Sequence, residues 1–170
     1  VGGTESLMSN LSLCLADKYK VIVFADRHNL FFDAIYDNKV KKHLLIRRIG
    51  GIKFFRRRRK IKEFKLLLLS GKIKCVIADS WKSLELCSEF LVNSKVPTIC
   101  LAHGNELLES NTKKNLKIFN VLNNTSVVVA NSDYTLNLVK KIGLEKPILK
   151  KIHPGAENIF DVTQSEIKSV

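Results

Sequence analysis

The sequence has no apolar run as long as the ~18 residues that a membrane-spanning helix needs. Its opening stretch, VGGTESLMSN, also lacks the basic and apolar regions of a secretory signal. The chain begins with valine rather than methionine, which is typical of a trimmed N-terminus. We therefore expect neither a transmembrane helix nor a secretory leader within these 170 residues.

Cysteine is scarce and widely spaced. No CxxC pair occurs, and the four cysteines lie inside apolar stretches, at Cys14, Cys75, Cys87 and Cys100. This spacing is typical neither of a zinc site nor of a disulfide framework. We predict reduced, buried thiols in a cytoplasmic protein.

Several catalytic signatures are also missing. The sequence contains no P-loop and no spacing typical of a Ser-His-Asp triad or a metal site. It lacks the G-x-G-x-x-G fingerprint, followed by an acid ~20 residues later, that marks a dinucleotide-binding dehydrogenase domain. We therefore expect no metal and no cofactor.

Buried apolar runs alternate with amphipathic helical patterns along the chain. Hydrophobic residues make up 45% of the sequence, enough for a core, and 170 residues suit one domain. Apolar strands separated by helices pair in parallel through right-handed crossovers. The sequence therefore predicts an α/β fold, a Rossmann-like doubly wound parallel sheet with helices on both faces. We place this domain at residues 1–160 and a polar tail at 161–170.

Local signals predict several element boundaries. Thr4 is the expected N-cap of the first helix. Asp133 is expected near the N-cap of a later helix that closes at Gly143. The stretch KIKCVIADS (72–80) predicts one strand, and WKSLELCSEFLVNS (81–94) predicts one helix.

The positive charge is concentrated in one part of the chain, residues 39–74, which we call the basic segment. It holds 15 Lys or Arg and one acid, a net +14, while the remainder has a net charge of −1. The segment is either a solvated helix face or the binding surface for an anionic partner, lipid headgroups first and nucleic acid second. The candidate anion-binding residues are Arg56, Arg57, Arg58, Arg59, Lys60 and Lys62.

Within this segment, residues 52–70 have a helical pattern with two apolar stripes. One stripe, expected to face the core, consists of Phe54, Ile61, Phe64 and Leu68. The second consists of Phe55, Leu66 and Leu69, flanked by Arg58, Arg59 and Lys62. An exposed second stripe would be typical of a helix that lies in a membrane interface. Alternatively, the leucine run is fully buried.

Polar clusters follow the predicted strands. They are DSW (79–81), HGNE (103–106) and NSDYT (131–135), and GGTES (2–6) opens the first helix without a preceding strand in this sequence. The carboxyl ends of parallel strands meet at one edge of a sheet, where ligands bind. We therefore expect these clusters to lie together.

Each cluster has a functional and a structural interpretation. Gly2, Gly3 and Thr4 could present backbone N–H groups to a phosphate, or form an ordinary turn. His103 could be a hydrogen-bond partner or an acid–base group, although a single histidine at a strand end is more often structural. Glu106 could bind sugar hydroxyls or favour the start of a helix.

The remaining candidates have the same two interpretations. Trp81 is either a sugar-stacking platform or, more commonly for such a residue, part of the core. Ser132 and Asp133 are first of all capping residues. The candidate acceptor- or sugar-binding residues are Ser80, Trp81, Gly104, Glu106, Asn131 and Ser132, with His103 as the candidate catalytic residue.

The order of these motifs resembles the N-terminal half of GT-B glycosyltransferases of family 4. A GG loop opens the first helix, HGNEL follows a middle strand, VVVANSDYTLNLVKKIG begins a later helix, and ILKKIHPGAENIF ends the domain. The match runs from Gly2 to Phe160.

The resemblance implies a function that composition does not show. It implies transfer of a sugar from a nucleotide-sugar donor to an acceptor, with retention and without a metal. By the family's pattern, Gly3 and its neighbours approach the donor diphosphate, and His103 lies near the transferred sugar as a positioning partner rather than a base. Many members bind lipid or lipid-linked acceptors through basic, apolar patches on this domain. The resemblance thus implies a peripheral membrane protein in the cytoplasm.

The second domain of the family, with its E-x7-E donor site, is absent from this sequence, as is the usual first strand. We therefore expect this chain alone to be inactive as a transferase. The alternative is a non-catalytic binding module with the same fold, whose basic segment holds an anionic partner such as nucleic acid. Nucleic acid is the weaker case, because the phenylalanines of the basic segment lie on no strand platform for stacking bases.

Overall fold

A computed structural model of the chain describes residues 3–27, 33, 37–38, 44–108 and 111–155. The helices are α1 (Gly3–Ala16), α2 (Lys53–Leu69), α3 (Trp81–Leu84), α4 (Ser88–Ser94), α5 (Thr112–Leu122) and α6 (Asp133–Lys141). The strands are β1 (Val21–Asp26), β2 (Leu44–Ile49), β3 (Val76–Ala78), β4 (Thr98–Ala102), β5 (Val127–Ala130) and β6 (Ile148–Lys151). A 3₁₀ turn covers Asn105–Leu107.

Every pair of described strands is parallel, as the alternation of strands and helices predicts. β3, β4, β5 and β6 pair in that order, and β1 pairs with β2 from Val21 opposite Leu44 to Asp26 opposite Ile49. The helices flank these strands, so the α/β prediction is confirmed. Among the described residues the predicted single sheet is divided in two, because β1 and β2 pair only with each other and β3 to β6 form the second sheet.

The core lies on the larger sheet and its helices. On β4 the alternate residues Thr98, Cys100 and Ala102 are buried, and Cys100 is fully inaccessible. In contrast, all six residues of β1 are only half-buried, although five of them are apolar. Among the described strands β1 pairs with β2 alone, so one of its edges has no described neighbour. This partial pairing is consistent with the half-burial of its residues.

Several predicted boundaries are wrong. Thr4 lies inside α1, which begins at Gly3, so it is not the N-cap. The strand predicted at 72–80 covers only Val76–Ala78. The helix predicted at 81–94 is broken into α3 and α4, because Cys87 has φ −129° and ψ 0°, outside the helical region. Its buried side chain keeps it in the core at this break.

Other predictions hold at the level of single residues. Ser132 is the N-cap of α6 and Asp133 lies in its first turn, while Gly143 follows the helix with φ +76°. Two of the cysteines predicted to be buried are exposed, Cys14 and Cys75; Cys87 and Cys100 are buried, and all of them are free thiols. The predicted tail at 161–170 lies outside the described residues.

Candidate active site

Three of the four polar clusters meet in one open pocket at the carboxyl edge of the sheets. The pocket has a volume of about 420 Å³. It is lined by Thr4, Asp79, Ser80, Lys82, His103, Asn105 and Glu106. The loops that follow β3 and β4 thus contribute to a common wall with the first turn of α1, as expected for parallel strands.

His103 is held by a hydrogen bond from its ring. Its Nε2 lies 2.9 Å from the carbonyl oxygen of Asp79. A carbonyl only accepts, so Nε2 carries the proton, and in the neutral ring Nδ1 is left as an acceptor. This bond ties the loop after β4 to the loop after β3 and fixes the imidazole in the pocket wall.

Glu106 and Trp81 join the same two loops from the other side. Oε1 of Glu106 accepts a hydrogen bond from the backbone N–H of His103 at 2.8 Å. The indole Nε1 of Trp81 donates to the carbonyl oxygen of Glu106 at 3.1 Å. Trp81 is 5% exposed and packs in the core, so its ring offers no face for stacking a sugar. The core interpretation of Trp81 therefore holds, and the alternative of a sugar-stacking platform does not fit its burial.

Gly104 brings the HGNE cluster against the NSDYT cluster. It is buried and has φ +106° and ψ −64°, and a Cβ at this position would lie 3.1 Å from Oγ1 of Thr135. Thr135 is 1% exposed and donates to Oδ1 of Asn131 at 2.8 Å. The hydroxyl of Ser132 accepts from the N–H of Thr135 at 3.1 Å. Asn131 and Ser132 therefore position Thr135 and do not line the pocket.

Charged groups of both signs line the pocket. Two carboxylates, Asp79 and Glu106, and one ammonium, Lys82, line it. Asp79 also accepts a short hydrogen bond from Ser83.

Burial raises the pKa of the Cys100 thiol far above its usual value, and the charges of Asp79 and Glu106 raise it further. Cys100 is therefore a protonated core residue rather than a nucleophile.

The structure adds lining residues that the sequence analysis did not select. Asp79 and Asn105 belong to the DSW and HGNE clusters, so the sequence pattern that marks these clusters could have identified them. Lys82 lies one residue beyond the DSW cluster. Gly3 is exposed at the start of α1, and Gly2 lies outside the described residues. In the described ranges, no three His, Cys, Asp or Glu side chains are grouped as a metal site would require.

Half of the candidate anion-binding residues are already paired with acids of the chain. Arg56 lies 3.0 Å from Asp26, and Lys60 pairs with the same carboxylate. Arg57 donates to Glu85 at 2.8 Å and to the carbonyl oxygen of Lys82 at 3.1 Å. These three residues attach α2 to the body of the domain, so the prediction that all six candidates face an anionic partner is too broad.

The remaining three, Arg58, Arg59 and Lys62, lie on the exposed side of α2 together with the second apolar stripe. Phe55, Leu66 and Leu69 are 57%, 60% and 72% exposed. We call these six residues the basic–apolar face. Within the described part of the chain, no carboxylate pairs with its basic members. Complete burial of the leucine run is therefore wrong, since Leu68 alone of this run is buried.

Of the described helices, none is long and apolar enough to cross a membrane.

The first apolar stripe of α2 faces the core only in part. Leu68 is buried and Phe64 packs edge-on against Phe24 of β1 at 6.2 Å. Phe54, at the start of α2, is 58% exposed, with the guanidinium of Arg58 4.3 Å from its ring centre.

Taken together, the parallel strands, the pocket at their carboxyl edge and the first helix beginning at Gly3 define a Rossmann-like α/β domain. The model of Glycosyltransferase Family 4 matches residues 1–157. The chain therefore belongs to glycosyltransferase family 4, as the motif order predicted.

Solved structures show the same fold. The domain is similar to HepE from Anabaena, in its crystal structures with UDP and with UDP and glucose (TM-score 0.72 for both) and with UDP-glucose (TM-score 0.73). Sequence identity is 16%, and 99% of this chain is covered. The chain spans 45% of the length of HepE. No curated protein sequence matches it significantly.

Proposed function

We propose that this chain is the acceptor-binding, N-terminal domain of a glycosyltransferase that moves a hexose from a nucleotide-sugar donor to a lipid-linked or surface-polysaccharide acceptor. The observation that carries the proposal is the pocket in which Thr4, Ser80, His103 and Glu106 come together in a family 4 domain. Its hydroxyl, amide and carboxylate groups suit the hydroxyls of a sugar.

The donor is proposed to approach at the start of α1. The N–H groups of the first helical turn have no partners within the helix and carry a partial positive charge. Residues Gly2, Gly3 and Thr4 would contact the diphosphate there, while the rest of the donor is held by a second domain. HepE, with the same fold, was crystallised with UDP-glucose. From the family resemblance we propose a retaining reaction that needs no metal and no bound cofactor.

Measuring the mass of the natural protein tests directly whether it contains a second, donor-binding domain. The intact protein from its natural source should have a mass near twice the 19.3 kDa of this chain. The isolated 170-residue chain should show no transfer. A natural product of 19.3 kDa that transfers sugar without a partner chain would contradict both expectations.

We propose that His103 positions the transferred sugar by a hydrogen bond. Its ring is fixed through Nε2, so Nδ1 is the group that remains to interact with a ligand. In the complete enzyme, His103→Ala should lower kcat/KM by about 10–100-fold, on the order of the loss of one charged or polar contact in the transition state. His153→Ala, at an exposed site outside the pocket, is the matched control. Turnover of His103→Ala close to wild type would remove the proposed role.

We further propose that the basic–apolar face of α2 rests on an anionic bilayer, which makes the protein a peripheral membrane protein of the cytoplasm. Phe55, Leu66 and Leu69 would enter the headgroup region, and the adjacent cations would meet anionic headgroups. Each basic residue near such a surface contributes about 1 kcal/mol. The arrangement brings the enzyme to a membrane-embedded acceptor.

Vesicle sedimentation tests the membrane surface. The triple variant Arg58→Glu, Arg59→Glu, Lys62→Glu should lose binding to vesicles containing phosphatidylglycerol. A matched variant with three exposed lysines reversed elsewhere, Lys113→Glu, Lys140→Glu, Lys141→Glu, should retain most of it. Equal loss in both variants would indicate attraction by net charge alone. Stronger binding to RNA or DNA with a steep salt dependence would favour the binding module instead.

A further inference from the structure

One exposed aromatic side chain lies next to Gly104, in the HGNE loop that contributes to the pocket, and has no role in the mechanism above. Tyr134, in the first turn of α6, is 62% exposed. Two atoms of its ring edge, Cδ1 and Cε1, lie 3.9 Å from the position that a Cβ of Gly104 would take. Among the described residues, the other exposed aromatic side chains lie before β1 or on α2. Tyr134 is the exposed aromatic residue at the carboxyl edge of the larger sheet.

The backbone under Tyr134 is fixed on both sides. Thr135 is buried and bonded to Asn131 and Ser132. Asp133 pairs with Lys151 of β6 at 2.8 Å. The ring of Tyr134 is therefore held out toward solvent by an anchored backbone.

The groups next to the ring are those of a carbohydrate site. Across Gly104 lie His103, Asn105 and Glu106, all of which line the pocket. Sugars present polar hydroxyls at the ring edge and apolar C–H groups on the ring face, so they are bound by polar side chains and an aromatic surface together. Trp81 cannot supply that surface because its ring is buried.

We propose that Tyr134 is a stacking platform for a pyranose ring of the acceptor. The ring edge lies within ordinary van der Waals distance of the Gly104 Cβ position, so Tyr134 packs beside the HGNE loop. The inference rests on the proposed function and specifies which residue of this domain recognises the sugar face. Tyr134 contributes to acceptor affinity and leaves the donor and the chemical step unaffected.

Steady-state kinetics of the complete enzyme test this platform. Tyr134→Ala should raise the KM for the acceptor about 3–10-fold, the usual effect of one aromatic contact. Its kcat, the KM for the donor and the melting temperature should stay near those of wild type. Tyr134→Phe, which keeps the ring, should behave as wild type. Tyr19→Ala, at another exposed tyrosine far from the pocket, is the control.

A binding experiment separates this inference from the proposed function. Methyl gluco-, galacto- and mannopyranosides are titrated into the complete protein while the tyrosine ring signals are followed by NMR. If no transfer is found with any donor but the Tyr134 signals shift, the transferase proposal fails and the sugar platform stands. If the signals do not shift, or if Tyr134→Ala lowers stability and raises both KM values equally, Tyr134 is a packing residue and the inference is overturned.

Discussion

Gly104 has a backbone conformation that a residue with a side chain adopts only with strain. Its φ of +106° and ψ of −64° lie outside the regions allowed to L-residues. The space is occupied as well, since a Cβ would meet Oγ1 of Thr135 at 3.1 Å. The residue between His103 and Asn105 therefore determines whether the loop after β4 can close on α6.

We expect Gly104→Ala to lower the free energy of unfolding by about 2–4 kcal/mol, from backbone strain and the displaced Thr135 together. Gly71→Ala is the control: Gly71 has φ +67° and nothing within 4 Å of its Cβ position, so it isolates the cost of a left-handed backbone, about 1–2 kcal/mol. Urea denaturation measures both. Equal losses would mean that neither the more strained backbone region of Gly104 nor its contact with Thr135 adds to that cost.

At the scale of elements, α2 is attached to α5 and to the end of α3 by charge. Arg57 of α2 and Lys117 of α5 both pair with Glu85, which follows α3, at 2.8 and 3.0 Å. The hydrogen bond from Arg57 lowers the pKa of the Glu85 carboxyl, and Lys117 lowers it further. A carboxyl with a lowered pKa stabilises the fold above its unfolded pKa, and this contribution is lost as the pH falls through the folded value.

Glu85→Gln should therefore lower the melting temperature at pH 7 by about 2–4 °C, corresponding to about 1 kcal/mol for two partly exposed pairs. At a pH below the lowered pKa of the folded state the difference from wild type should shrink, because Glu85 is then protonated in both states. Glu89→Gln, at an exposed acid of α4, provides the comparison. A difference that is the same at both pH values would show that the charge of Glu85 is not the cause.

At the scale of the whole molecule, the two sheets differ in how completely they are paired. β4 is paired on both sides, with β3 and β5, whereas β1 is paired only with β2 among the described strands. The core gathers around β4 and β5, with Cys100 and Ala130 fully buried, and the residues of β1 are all half-buried. Local opening should follow this difference in burial and pairing.

Hydrogen exchange of the 170-residue chain should therefore be slowest in β4 and β5 and at least about tenfold faster in β1, corresponding to ~1.4 kcal/mol or more in opening free energy. Mass spectrometry of peptides covering Thr98–Ala102 and Val21–Asp26 measures the two regions. Protection of β1 equal to that of β4 would show that the smaller sheet is as stable as the larger one.

The sequence by itself determined the fold class and the order of its elements. Alternating apolar strands and helices require parallel pairing, and the carboxyl-edge placement of DSW, HGNE and GGTES follows from that pairing. Periodicity also identified Phe55, Leu66 and Leu69 as a second stripe on the helix of residues 52–70, but left open whether that stripe is exposed or the leucine run is buried. These features depend on local pattern, so no tertiary contact was needed to infer them.

The tertiary structure alone decided which side chains face the pocket and which hold it together. Trp81 could have been core or platform, and the hydrogen bond from its indole to Glu106 places it in the core. Arg57 and Arg58 are neighbours of the same charge, yet one pairs with Glu85 and the other faces solvent. Such partners lie 25 or more residues apart in the chain, so only the packing of distant elements determines them.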